Sequence, residues 1–291
     1  MKIERLEDMR DLISFLTQIP VKKVVNIDAV TVNSHLFPFV GLLIGLIVAV
    51  VAFIVFGFLV VAVPARAEIA ALLTLLVLYL LTGLLHIDGL ADFSDGLMAQ
   101  GSRAEKRRAM KDAKIGIAGL FAVIILLLLS LSAIETVGAE FISTVAAFDF
   151  NLLYLDPITV YDFAAVFIIA EVSAKLSMNT CMVLALPGKG FVSEGKNGAG
   201  NGNENGAVQG MGTLFIRSFS VRKYIAALLS AVLIAVLFTA SFYFIIVFTG
   251  VIVAFFLSYV ARQNFGAISG DVMGASNELA RCVTLIIFAV F

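Results

Sequence analysis

Three aspartates fall within eight residues in the run His86-Ile87-Asp88-Gly89-Leu90-Ala91-Asp92-Phe93-Ser94-Asp95-Gly96, at the end of an unbroken apolar stretch. Carboxylates beside hydrocarbon are costly unless a cation offsets them. Their hard oxygens suit a divalent ion such as magnesium, with phosphate oxygens completing its shell. Read as a helix, the run sets Asp88, Asp92 and Asp95 at i, i+4 and i+7, within roughly 60° of one another by the 3.6-residue period. They could then share one cation or a pair. The plainer alternative, acids that cap the next helix and solvate a loop, leaves three like charges repelling one another. Gly89 and Gly96 each follow an aspartate and leave room for a bulky phosphate or a second helix. His86 falls on the other side of an ideal helix, and its role stays open.

Downstream, Arg103, Lys106, Arg107, Arg108, Lys111 and Lys114 surround Asp112. With the acids they make a setting suited to magnesium and a polyanion. The segment from Lys111 to Gly119 runs straight into an apolar stretch, so its first backbone N–H groups are expected free to meet an anion. Plain topogenic charge accounts for Lys106, Arg107 and Arg108 equally well. A second polar island, Ser269 to Glu278, opens the last apolar stretch, with Asp271 and Glu278 on one face. Asp271 could add a ligand or orient one. Gly266, Gly270 and Gly274 recur every fourth residue, a small-residue pattern that lets helices approach. A P-loop or dinucleotide fingerprint is absent, which argues against a standard nucleotide-hydrolysing fold.

The elements that must position these residues are membrane helices. The 291-residue chain is 61% hydrophobic and 14% charged, with a mean hydropathy of +1.05, far from a soluble domain. A net charge of -1 gives no reason to expect nucleic acid. Stretches of about 20 apolar residues predict seven spans, near 37 to 63, 67 to 86, 115 to 134, 163 to 186, 224 to 241, 244 to 261 and 272 to 291. The fifth and sixth share one run, split by a hairpin near Ser241 to Tyr243 or near Gly250. The expected fold is an all-α polytopic integral membrane bundle, residues 1-291 forming a single catalytic domain.

Five Lys and Arg precede the first span, six lie from Arg103 to Lys114 and five from Lys189 to Lys223, whereas residues 135 to 162 hold five acids and no base. The positive-inside rule then puts the aspartate run on the cytoplasmic side of the cell membrane. Lys175 and Arg281 are intramembrane cations, each with an acid one turn away, Glu171 and Glu278, and read as neutralised pairs. Residues 1-20 read as an interfacial amphipathic helix with Leu6, Met9, Leu12, Ile13 and Leu16 on one face, ended by Pro20. No cleaved signal is expected there. Cys181 and Cys282 read as core residues. Residues 187 to 212 carry nine glycines and read as a flexible cytoplasmic loop, with structure returning near Gly210.

The His-x-Asp-Gly-Leu-Ala-Asp-x-x-Asp-Gly run, followed by Met110-Lys111-Asp112-x-x-x-Gly116-x-x-Gly119, resembles the cobalamin synthase (adenosylcobinamide-GDP ribazoletransferase) family. Phe15 to Val21, Phe37-Pro38-x-x-Gly41-x-x-x-Gly45 and Gly270-Asp271-x-x-Gly274-Ala275 support the likeness; the Gly/Asn-rich stretch from Asn197 to Asn205 departs from it. The resemblance implies the last assembly step of adenosylcobalamin. In that step α-ribazole, or its 5'-phosphate, displaces GMP from adenosylcobinamide-GDP. It implies that Asp88, Asp92 and Asp95 hold Mg2+ against the pyrophosphate, that Lys111, Lys114 and Arg103 balance the phosphate charge, and that His86 or an aspartate takes the hydroxyl proton. Asp112 and Asp271 would support the site. The expected partners are the two substrates and the lipid bilayer; assembly into a homo-oligomer is left open. Two rivals stand beside this reading. One is another magnesium-dependent membrane transferase acting on a prenyl diphosphate or CDP-alcohol; the other is an ion-coupled transporter using Glu171, Asp271 and Glu278.

Overall fold

The computed structural model describes residues 2–21, 24–62, 67–147, 157–186, 210–239 and 241–291. Twelve α-helices run through them: α1 (Lys2–Leu16), α2 (Ile27–Val32), α3 (Phe37–Ala62), α4 (Ala67–Thr82), α5 (Leu85–Met98), α6 (Arg103–Met110), α7 (Ile117–Ala147), α8 (Pro157–Leu184), α9 (Met211–Ser218), α10 (Val221–Phe238), α11 (Thr249–Phe265) and α12 (Gly270–Val290). Six stretches are long and apolar enough to cross a membrane, 34–57, 117–145, 159–184, 221–238, 242–265 and 270–290. A seventh crossing exists only if α4 and α5 count together, because they meet at 94°. The second predicted span, 67 to 86, is therefore corrected: it ends at Thr82. Gly83, at φ +70°, takes a left-handed turn open to glycine at little cost, and α5 leaves in a new direction.

α8 is the axis of the bundle. Its apolar window is 94% buried, against 28% for those of α7 and α10, and it packs against α3, α10, α11 and α12. Gly41 lets α3 close on it, since a Cβ there would stand 2.8 Å from the Glu171 carbonyl oxygen. Large apolar side chains on α7 (Phe121, Ile124, Leu128), α10 (Leu229, Leu233, Val236) and α11 (Ile252, Phe255, Phe256) face outward, as helices meeting hydrocarbon must. Between α10 and α11 the chain passes through a 3-10 segment, Ser241–Phe248, where the long apolar run was expected to break.

In α1, Leu12 and Leu16 are fully buried against the bundle. Arg10 donates to the Val21 carbonyl at 3.0 Å, and Asp11 accepts from the Asn26 backbone N–H at 2.9 Å. Most of the glycine-rich loop lies outside the described residues, which resume at Gly210 just before α9. Gly266 is not part of a helix-packing stripe as expected. It ends α11 in a left-handed C-cap at φ +77°, leaving Gly270 and Gly274 in α12.

Candidate active site

The three aspartates lie on one helix, α5, whose two glycines are used for packing rather than for a phosphate. A Cβ at Gly89 would meet the Asp271 carbonyl oxygen at 3.1 Å and Gly274 Cα at 3.3 Å, and one at Gly96 would meet Met110 Cβ at 2.8 Å. Close passage of α5 over the first turn of α12 brings Asp88 and Asp92 to Asp271. Asp92 feels Asp88, Asp271 and Asp95 as neighbouring like charges, and Asp271 feels both Asp88 and Lys111. Asp271 is fixed by its place at the start of α12, where Ser269 caps the helix through the Val272 N–H at 3.4 Å and donates to Asp271 Oδ2 at 3.2 Å.

Asp95 is differently employed. Its Oδ2 accepts the Gly116 N–H at 2.7 Å and its Oδ1 the Gly119 N–H at 2.8 Å. The amides expected to be free for a substrate anion at the start of α7 are thus filled by a carboxylate of the protein itself. This is the usual way an acid compensates a helix N-terminus. Among the described residues no three His, Cys, Asp or Glu side chains converge closely enough to cage a metal ion by themselves.

A cavity of about 340 Å3 opens beside the acids. Asp88, Lys111 and Asp271 stand at its polar end, and Met178, Met182 and Phe215 form its apolar wall. His86 also borders it, yet both imidazole nitrogens are buried and lack a partner among the described residues. Lys114 and Asp112 are exposed, with Asp112 Oδ1 accepting the Lys114 backbone N–H at 3.1 Å. Arg103 donates to the Gln263 carbonyl at 3.2 Å, Arg107 to Phe265 at 2.7 Å, and Lys106 to Leu97 at 2.8 Å and to Asn264 Oδ1 at 3.0 Å. These three bases hold the C-terminal end of α11. In α6 the Ser102–Glu105 capping box holds the Glu105 carboxyl below its ordinary range through hydrogen bonds from Ser102.

Deeper in the bundle, the two expected ion pairs form one balanced network. Glu171 and Lys175 stand 3.6 Å apart and Glu278 and Arg281 2.7 Å apart, while the Arg281 guanidinium also grips Glu171 across two helices. Asn277 accepts from Lys175 at 2.8 Å and donates to Glu278 at 3.0 Å. Tyr79 donates to Glu278 at 2.8 Å and lies under Arg281, 5.7 Å from ring to guanidinium. Tyr79 carried no signal in the sequence, because it lies beside no acid or base; Asn277 fell within the polar island, but its bond to Lys175 joins residues 102 positions apart.

The fold and this site define a polytopic helical membrane protein with a cavity bordered by acids and a lysine. A model of the cobalamin-5-phosphate synthase family (CobS) matches residues 8–289, and the chain belongs to that family. Curated relatives named adenosylcobinamide-GDP ribazoletransferase include one from Pyrococcus abyssi, 30% identical over 97% of this chain and 97% of its own. One from Methanosarcina mazei is 32% identical over 95% and 89%, and one from Methanococcoides burtonii 28% over 97% and 91%. No solved structure matches the chain.

Proposed function

We propose that the chain completes cobalamin assembly by transferring the adenosylcobinamide-phosphate moiety of adenosylcobinamide-GDP to a ribose hydroxyl that α-ribazole and its 5'-phosphate both keep free, with release of GMP. The observation that carries this reading is the pair Asp88 and Asp92 on α5, set against Asp271, with Asp88, Lys111 and Asp271 lining a cavity. Magnesium is held by one or two carboxylates together with substrate phosphates rather than by an all-protein cage. A carboxylate pair beside the cavity mouth fits that demand. Asp88 and Asp92 are the residues that would hold the ion, with Asp95 steadying the helix they share. When bound, the ion supplies charge neutralisation along the pyrophosphate.

The acceptor oxygen bonds to the phosphorus that bears cobinamide. The bond from that phosphorus to the bridging oxygen breaks, and GMP leaves with that oxygen. The proton of the attacking ribose hydroxyl passes to Asp271 or to His86, and the same hydroxyl serves in either acceptor, so the 5'-phosphate, where present, is carried through unchanged. Lys111, in the cavity wall, and the exposed Lys114 balance charge on the departing GMP; Arg103 acts by tethering α11. Little covalent work falls to the protein, which positions reactants and offsets charge. In this proposal the acids face the cytoplasm, the side to which the excess of Lys and Arg in the flanking segments points.

An ion-coupled carrier is disfavoured because Glu171 and Glu278 are already compensated by Lys175 and Arg281. The test is direct. Purified protein in detergent is given adenosylcobinamide-GDP, magnesium and either acceptor, and products are read by mass. Equimolar GMP and adenosylcobalamin (or its phosphate), abolished by EDTA, are expected; no GMP with either acceptor refutes the proposal.

A further inference from the structure

We propose that the cavity enclosed by α1, α5, α8, α9 and α12 seats the acceptor nucleoside, its flat base against the methionine wall and its ribose turned toward Asp88 and Asp271. This rests on the transferase reading above. Size favours it first. At about 340 Å3 the cavity lies near the bottom of the roughly 300–1,000 Å3 that ligand pockets span. That is room for a bicyclic base with a ribose. A corrin macrocycle with its amide arms is far larger and has to lie outside, across the mouth.

The wall favours it next. Four of the chain's eight methionines, Met178, Met182, Met211 and Met273, border the cavity, where unbranched thioethers mould to an aromatic face and make favourable sulfur contacts with it. Phe15 and Phe215, with ring centroids 5.5 Å apart, flank the same space. Beyond the polar end, few side chains there can donate or accept a hydrogen bond. A dimethylbenzimidazole carries no exocyclic amine or carbonyl, and once joined to ribose it has a single ring nitrogen left to accept a hydrogen bond, so it loses little on entering. A purine would leave such groups unpaired, the kind of mismatch that discriminates most strongly. The cavity thus selects a benzimidazole nucleoside and turns away the guanosine of the other substrate.

Direction agrees with both. The charged lining, Asp88, Lys111 and Asp271, is the acid site itself, so a nucleoside seated base-inward presents its ribose hydroxyls where the pyrophosphate meets Asp88 and Lys111.

Two measurements test this. In steady-state kinetics, Met178→Trp fills the wall and is expected to raise KM for α-ribazole about 10-fold or more, with KM for adenosylcobinamide-GDP within about twofold of wild type. An unmoved ribazole KM, or a rise confined to the corrinoid, overturns the assignment. Should that variant fail to fold, equilibrium dialysis on the wild-type protein decides. α-Ribazole is expected to bind without corrinoid or magnesium and to be displaced by 5,6-dimethylbenzimidazole but not by guanosine; absent binding, or equal displacement by guanosine, overturns it. Wild-type protein that makes no product with either acceptor defeats the transferase reading. Normal turnover with an unmoved ribazole KM in the tryptophan variant defeats only the seat.

Discussion

Asp92 and Asp95 are chemically identical, share a helix face, and are put to different uses. Asp95 gives both oxygens to the amides that open α7, whereas Asp92 stands among three other carboxylates. Replacing Asp95 with Asn removes the charge that favours the helix end and turns one acceptor into a donor, at a cost of about 1 kcal/mol. Asp95→Asn is therefore expected to lower the thermal midpoint in detergent along with activity. Asp92→Asn relieves repulsion, so its midpoint should hold or rise while kcat/KM falls at least about 100-fold. Melting curves and initial rates on the two variants decide; unchanged midpoints with equal loss of activity in both would make Asp95 an ion ligand like its neighbour. The spacing of the aspartates was legible in the sequence because helical periodicity is local. The capping of Gly116 by Asp95 was not, because it joins residues 21 positions apart, one within α5 and one just ahead of α7.

Among the elements, α4, α8 and α12 are locked by charges with no water to relax into. Arg281 reaches Glu171 and Glu278 at once, and all three side chains are buried. Arg281→Met leaves two buried carboxylates, Glu171 and Glu278, with one cation, Lys175, between them, and breaking a buried pair in this way costs about 3–5 kcal/mol. The expected sign is a large drop in thermal midpoint. Adding Glu171→Gln to that variant leaves one cation, Lys175, and one anion, Glu278, to offset one another, and part of the loss should return. A double variant no more stable than the single would show that the pairing is not what carries the cost. Each acid one turn from its base was readable from sequence, but the link between the pairs spans 110 positions. The bend at Gly83 was hidden for another reason: apolar residues continue through it, and hydropathy reports burial without direction.

At the scale of the molecule, one end of the bundle gathers the acids, the basic segment from Arg103 to Lys114 and the cavity, and the far end of α7 emerges among acids. From Ile117 to Ser143 the helix rises about 39 Å at 1.5 Å per residue, more than the roughly 30 Å of hydrocarbon in a bilayer. A crossing along α7 sets Ser102 and Ser143 on opposite sides, and the proposed topology, drawn from the excess of bases around Ser102, has Ser102 facing the cytoplasm. Both positions are exposed, and the native Cys181 and Cys282 are buried, so labelling of introduced thiols is read against a low background. In intact spheroplasts an impermeant maleimide is expected to modify Ser143→Cys and to spare Ser102→Cys until the membrane is opened. The reverse pattern would put the carboxylates and the cavity outside the cell, away from any pool of GDP-activated substrate, and the transferase proposal would lose its source of substrate even with the helix packing intact.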